Sequence, residues 1–142
     1  MSDKGRTRLV EDWYRFAAED LAAAKELHHE RDYFFHQTSL LCQQSAEKYL
    51  KAYLLSQGWK LAKTHELSRL VSECLTYDES FEALYPPCEL LNGYIITGRY
   101  PGDLPFESTT KDDAKRAIDA ALEVEVFVLG KRNQPTAEGK GE

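Results

Sequence analysis

Five polar side chains recur at helical spacing in one segment of the chain: Gln37, Gln44, Glu47, Lys48 and Lys51. At about 100° per residue they fall within roughly one third of a helix circumference, so a helix here presents a stripe of amides, a carboxylate and two ammonium groups. The stripe has two readings. It is a solvated face on which Glu47 and Lys51 form an i,i+4 pair worth about 0.2–0.5 kcal/mol. Alternatively it lines a cleft or a two-fold interface, where Lys48 and Lys51 meet a phosphate and the glutamines meet a base or a backbone.

Other chemistry-bearing groups lie elsewhere. Asp20 sits on the apolar face of a preceding segment, seven residues after Trp13, where an unpaired carboxylate is costly to bury. It calls for a lysine or glutamine from the stripe segment, or for His65. His65 follows Thr64 and is either a first-turn residue bonded to a neighbouring loop or a ligand contact. Arg99 and Tyr100, just ahead of Pro101, offer a guanidinium that either satisfies helix C-terminal carbonyls or grips a phosphate with two hydrogen bonds. Cys42, Cys74 and Cys88 are odd in number, widely spaced and set among apolar residues, with no CxxC and no zinc-ligand spacing. They are expected to be reduced core thiols, and neither a metal nor a cofactor is expected.

Helices must position these groups. Apolar residues from Leu9 to about Arg31 recur at spacings of three and four, with no Pro or Gly to interrupt them. A second helix runs from Tyr33 to about Gln57 and is closed by Gly58. Thr64 is placed to cap a third, short helix, its hydroxyl accepting from free first-turn amides. From Asp78 to Thr97 the helical period continues, but Pro86-Pro87 cannot stand inside a straight helix. The expectation is a turn of helix, a break, and a longer helix beginning at the prolines. Gly98 to Phe106 reads as an irregular loop, and Thr110 with Asp113 reads as a capping box opening a last helix that ends at Gly130 and Lys131-Arg132.

Residues 1–8 are thus expected to be a flexible N-terminus, 9–132 a helical bundle, and 133–142 a polar tail too poor in apolar residues to offset its ordering entropy. No alternating strand pattern occurs, so the fold class is all-α, an antiparallel up-and-down bundle of about five helices. A length of 142 residues fits one domain. The net charge of −6 disfavours sequence-independent binding to a phosphate backbone, while leaving room for a local basic site. No apolar run approaches the roughly 20 residues that span a bilayer, and the N-terminus has no apolar stretch like that of a signal peptide. A cytoplasmic location and no membrane contact are expected.

Four ordered stretches resemble the prokaryotic HEPN domain: an Ala-rich first helix with Asp20-Leu21; Gln43-Gln44-Ser45-Ala46-Glu47-Lys48-Tyr49-Leu50-Lys51-Ala52; Thr64-His65-Glu66-Leu67; and Arg99-Tyr100-Pro101. Each is weak alone, but their order and spacing from about Val10 to Lys131 make the resemblance specific. It implies a bundle of about five helices, commonly a homodimer, often encoded beside a minimal nucleotidyltransferase. Many members resemble one another further as metal-independent ribonucleases, with an Arg followed four to six residues later by a His near the start of a late helix. There two protomers form a composite site in which the histidine does acid–base chemistry and the arginine stabilises the phosphate.

This chain departs from that pattern, since no histidine follows Arg99 anywhere. A formal match, Arg31 to His36, falls between the first and second helices, which is the wrong element, and is read as coincidental. The candidates for catalysis are therefore Arg31, His36 and His65. Those for holding a nucleotide or phosphate are Lys48, Lys51, Arg99, Tyr100, Gln44 and Glu47. The balance leans from catalysis toward a non-catalytic module that contacts a nucleotide or RNA and acts with a nucleotidyltransferase in a toxin–antitoxin-like pair. The competing readings are a metal-independent endoribonuclease toxin and a structural dimerisation module whose stripe only sets helix register.

Overall fold

The computed structural model describes residues 2–30, 33–60, 63–98 and 109–133. They form α1 (Asp3–Glu30), α2 (Phe35–Ser56), α3 (Leu67–Leu75), a 3₁₀ helix (Glu79–Leu84), α4 (Tyr85–Gly98) and α5 (Lys111–Arg132), with no strand among the described residues. The expected all-α bundle of five helices is what the chain adopts.

α2 is the central pole. Its buried residues run from Thr38 to Leu55, and it packs against α1, α3, α4 and α5. α1 buries a single narrow stripe, Tyr14, Ala17, Leu21 and Ala24, at the spacing that keeps one face of a helix toward its neighbour. Two alanines on that stripe let the backbones approach closely, and the Ser45 hydroxyl of α2 donates to the Ala17 carbonyl of α1 at 2.8 Å. Near the other end of the pair the Arg6 guanidinium donates to the Leu55 carbonyl at 3.1 Å. α1 and α2 are therefore antiparallel, and their relative height is set by hydrogen bonds as well as by packing.

Periodicity starts the first helix at Leu9 and leaves residues 1–8 as a flexible terminus; α1 begins at Asp3, and Arg6 in its first turn adds a second hydrogen bond to the Leu55 carbonyl, which also accepts from the Gly58 amide. About a turn and a half further along α1, Arg132 pairs with Glu11 and stacks over the Tyr14 ring at 4.1 Å, tying α5 to α1. Phe81 joins the 3₁₀ helix to α2 and α5 through Tyr53 and Phe127, with ring centroids 4.4 and 4.9 Å apart.

Other boundaries follow local chemistry. Gly58 has a φ of 94° and stands just past the end of α2, as a left-handed terminator should. Pro86 and Pro87 occupy the first turn of α4, where amide protons have no intrahelical acceptor and their loss is harmless. The capping box of α5 is complete: Thr110 Oγ1 accepts from the Asp113 amide at 3.1 Å and Asp113 Oδ2 accepts from the Thr110 amide at 3.0 Å. That Thr110 amide, helped by Arg116 and opposed by burial, holds the Asp113 carboxyl below its ordinary value.

The cap of α3 differs from expectation. Helix α3 begins at Leu67 with Glu66 in the cap position and no side-chain cap. Thr64 Oγ1 accepts instead from the Glu66 amide at 3.3 Å, while the Leu67 amide donates to Asn92 of α4 at 3.4 Å. A residue distant in sequence does what a local hydroxyl was expected to do.

All three cysteines are free and buried, and burial pushes the thiols of Cys42 and Cys88 up to about 12 and that of Cys74 higher still. Among the described residues no helix is long and apolar enough to cross a membrane, and no His, Cys, Asp or Glu side chains cluster as a metal would require.

Candidate functional site

The antiparallel register of α1 and α2 carries Trp13, Phe16 and Asp20 alongside the polar residues of α2. Lys48 Nζ donates to Asp20 Oδ2 at 2.6 Å and lies 5.8 Å from the centre of the Phe16 ring. One turn on, Lys51 Nζ donates to Glu47 Oε2 at 2.9 Å and lies 5.7 Å from the Trp13 ring. Asp20 thus finds the lysine partner that its position demands.

The segment leading into α3 closes this row from above. His65 Nδ1 stands 3.1 Å from each oxygen of the Glu47 carboxylate. Gln43 Nε2 donates to the His65 carbonyl at 3.1 Å and reaches Glu47 Oε1 at 3.5 Å. Burial is graded across the cluster: Gln43 is fully buried, Lys51 is 3% and Glu47 8% exposed, whereas the His65 side chain is 61% exposed. An ion pair forms the floor and an imidazole forms the mouth.

Two chemical consequences follow. Asp20 and Glu47 neutralise Lys48 and Lys51, so the cluster offers directed hydrogen bonds more than net charge. With the Glu47 carboxylate against Nδ1, the neutral imidazole carries its proton there, so that in this form Nε2, which has no protein partner among the described residues, is an acceptor. Gln43 Oε1 is buried with no hydrogen-bond partner among the described residues, an arrangement that costs about 1–3 kcal/mol when nothing fills it.

The remaining candidates are dispersed. Gln37 is exposed and Gln44 half-buried on α2. His36 lies in the first turn of α2 rather than in a turn between helices. It precedes Glu47 by 47 − 36 = 11 residues, roughly 16 Å along the axis at about 1.5 Å per residue, so it does not join the cluster. Arg31, Arg99, Tyr100 and Pro101 lie outside the described residues. Gln43, which the stripe overlooks in favour of Gln44, is the amide that matters. Its signal was present in the spacing, since residues 43, 47 and 51 form one i,i+4 row.

A family model of the HEPN domain matches residues 10–131. The chain belongs to the HEPN family. The crystal structure of ST0689, an archaeal HEPN homologue, is 28% identical, with a TM-score of 0.68, the match covering 86% of this chain and 96% of that one. The crystal structure of TT1696 from Thermus thermophilus is 27% identical with a TM-score of 0.71, covering 86% and 97%. No protein with a curated description matches the chain. Within this HEPN bundle, three of the four stretches that carry the resemblance meet in the cluster. Asp20 comes from the first, Gln43, Glu47, Lys48 and Lys51 from the second, and His65 from the third.

Proposed function

We propose that this HEPN protein is a non-catalytic module that contacts a nucleotide or RNA through the α2 cluster and acts, as a homodimer, with a nucleotidyltransferase partner in a toxin–antitoxin-like pair. One observation carries the reading: a buried polar network, assembled from stretches far apart in sequence, reaches the surface at His65 and keeps one amide oxygen unpartnered. Buried polar groups that are merely structural tend to be fully paired. His65 Nε2 and the exposed edge of Lys48 are suited to a base edge or a ribose, with Arg99 and Tyr100 proposed to add the phosphate contact. The shallow apolar depression lined by Leu84, Leu122, Val126 and Phe127 supports a protein contact on another face. The test is to identify the adjacent gene and co-express its product with this chain, followed by copurification and calorimetric titration with mononucleotides; an adjacent nucleotidyltransferase that copurifies supports the reading. Absence of both copurification and nucleotide binding would sink the proposal.

A ribonuclease reading is favoured by the geometry of His65, whose carboxylate-oriented ring leaves Nε2 exposed for acid–base work at a 2′-hydroxyl. Incubation of the purified protein with RNA separates the two. Cleavage lost in His65→Ala supports catalysis, and cleavage that survives both His36→Ala and His65→Ala assigns it to other residues or to contamination.

A further inference from the structure

The α2 lysines are committed to carboxylates, so unpaired cations must be sought elsewhere, and two of them share a concavity beside the segment that carries His65. A cavity of about 280 Å³ is lined by Trp59, Lys63, Thr64, Arg69 and Glu73. We infer that this cavity is a ribonucleotide subsite, in which Trp59 stacks on the base, Lys63 and Arg69 hold the phosphate, and Glu73 accepts from the ribose hydroxyls. The inference rests on the reading that the protein contacts a nucleotide or RNA, and it adds a second place where that contact is made.

Each wall has a physical reason to serve. Trp59 follows the left-handed turn at Gly58, and its amide donates to the Leu54 carbonyl at 3.0 Å, which fixes the backbone that carries the indole. The ring is partly buried against the core, so one side is braced while the residue still lines the cavity. An aromatic face held in this way stacks any base without selecting among them. Arg69 and Glu73 stand one turn apart on α3, yet neither Lys63 nor Arg69 makes an ion pair among the described residues, unlike Lys48 and Lys51. Two cations and one carboxylate leave the walls with a net positive charge in a protein whose overall charge is −6. Thr64 accepts from the Glu66 amide, which leaves its own hydroxyl proton to donate. The volume sits at the lower end of ligand pockets, about 300 Å³, and so matches one nucleotide unit rather than a larger cofactor.

The unit is either a free mononucleotide or one residue of an RNA strand. Intrinsic tryptophan emission reports it directly, with AMP, an oligoadenylate RNA hexamer and the DNA hexamer of the same sequence as probes. Saturable quenching of Trp59 is expected in the intact protein and should be lost in Trp59→Phe, which keeps a stacking ring and leaves Trp13 as the remaining emitter, so that any residual quenching reports the α2 cluster. The double variant Lys63→Ala/Arg69→Ala should bind roughly tenfold or more weakly, and for the hexamer the slope of log affinity against log salt should fall by about 0.7, the loss of one neutralised phosphate on a single strand. Quenching by AMP at full amplitude assigns a free mononucleotide, and quenching by the RNA hexamer alone assigns a strand. Equal binding of the RNA and DNA hexamers would overturn the role given to Glu73. A nucleotide that binds by calorimetry with unchanged affinity in Lys63→Ala/Arg69→Ala, but weakly in Glu47→Gln, overturns this subsite and leaves the α2 reading standing. No binding of any probe removes both.

Discussion

Replacing Glu47 by alanine strands the Lys51 ammonium in a place where only 3% of the residue is exposed. At 2.9 Å and an effective dielectric of about 20 the pair attracts by about 6 kcal/mol, but taking each ion out of water costs several kcal/mol. The two effects nearly cancel, so the pair as a whole adds little to stability. Loss of one partner is a different matter, because the desolvation of the other stays uncompensated, which costs about 3–5 kcal/mol. The Trp13 ring 5.7 Å away offsets only about 0.5–2 kcal/mol of that. Glu47→Ala should therefore lower stability by about 3 kcal/mol, or about 10 °C in melting temperature for a domain of this size. The double variant Glu47→Leu/Lys51→Met should recover most of the loss, since an apolar pair of similar volume replaces a buried ion pair at little cost. Urea unfolding of the wild type, Glu47→Leu, Lys51→Met and the double variant completes a thermodynamic cycle, with Glu47→Ala measured beside it. A Glu47→Ala loss below about 1 kcal/mol, or a coupling energy near zero, would refute the claim that a charged pair floors the site.

The other predictions concern the frame. Gly58→Ala should cost about 1–2 kcal/mol by urea unfolding, all of it in the backbone, because nothing lies within 4 Å of an added Cβ while φ is 94°. The Asp113 carboxyl is held below its ordinary value of 3.8, so the stability it contributes is complete above that value and is lost as pH falls through the lower, folded one. Asp113→Asn should cost about 1 kcal/mol at neutral pH and flatten the acid limb of a melting-temperature profile, and an unchanged acid limb would discount the capping box. Cys42, Cys74 and Cys88 should resist a thiol-titrating disulfide reagent in the native protein and react as a set of three in urea. Rapid reaction of any one of them in the native state would contradict its burial.

What could be read in the chain and what could not divide along sequence distance. Gly58, the Pro86-Pro87 break and the Thr110–Asp113 box act on their own neighbours, and so their structural meaning was legible in a few consecutive residues. The requirement that Asp20 be paired was legible too, because the cost of an isolated buried carboxylate does not depend on the fold. Arg6, near the start of α1, bonds to Leu55, 55 − 6 = 49 residues away, and the uncapped start of α3 bonds to Asn92. Neither partner is foreshadowed locally. In the site, the stripe on α2 was visible as a periodic pattern, but a helical pattern cannot tell which of two adjacent glutamines faces inward. Gln43 and not Gln44 turns toward Glu47, because α1, α3 and α4 close around that side of α2. The meeting of His65 with Glu47 likewise required the turn after Gly58 to return the chain over α2, which only tertiary structure supplies.

The floor of the cluster belongs to α2, which packs against α1, α3, α4 and α5. Opening that floor means separating the pole from its neighbours, so the backbone amide protons around Glu47 and Lys51 should be among the slowest in the chain to exchange. Recognition can be retuned only at the rim, where His65 and Lys48 meet solvent. Surface residues there are free to drift toward new ligands while the charged pair beneath keeps its shape, which lets one scaffold change its specificity without first losing its fold.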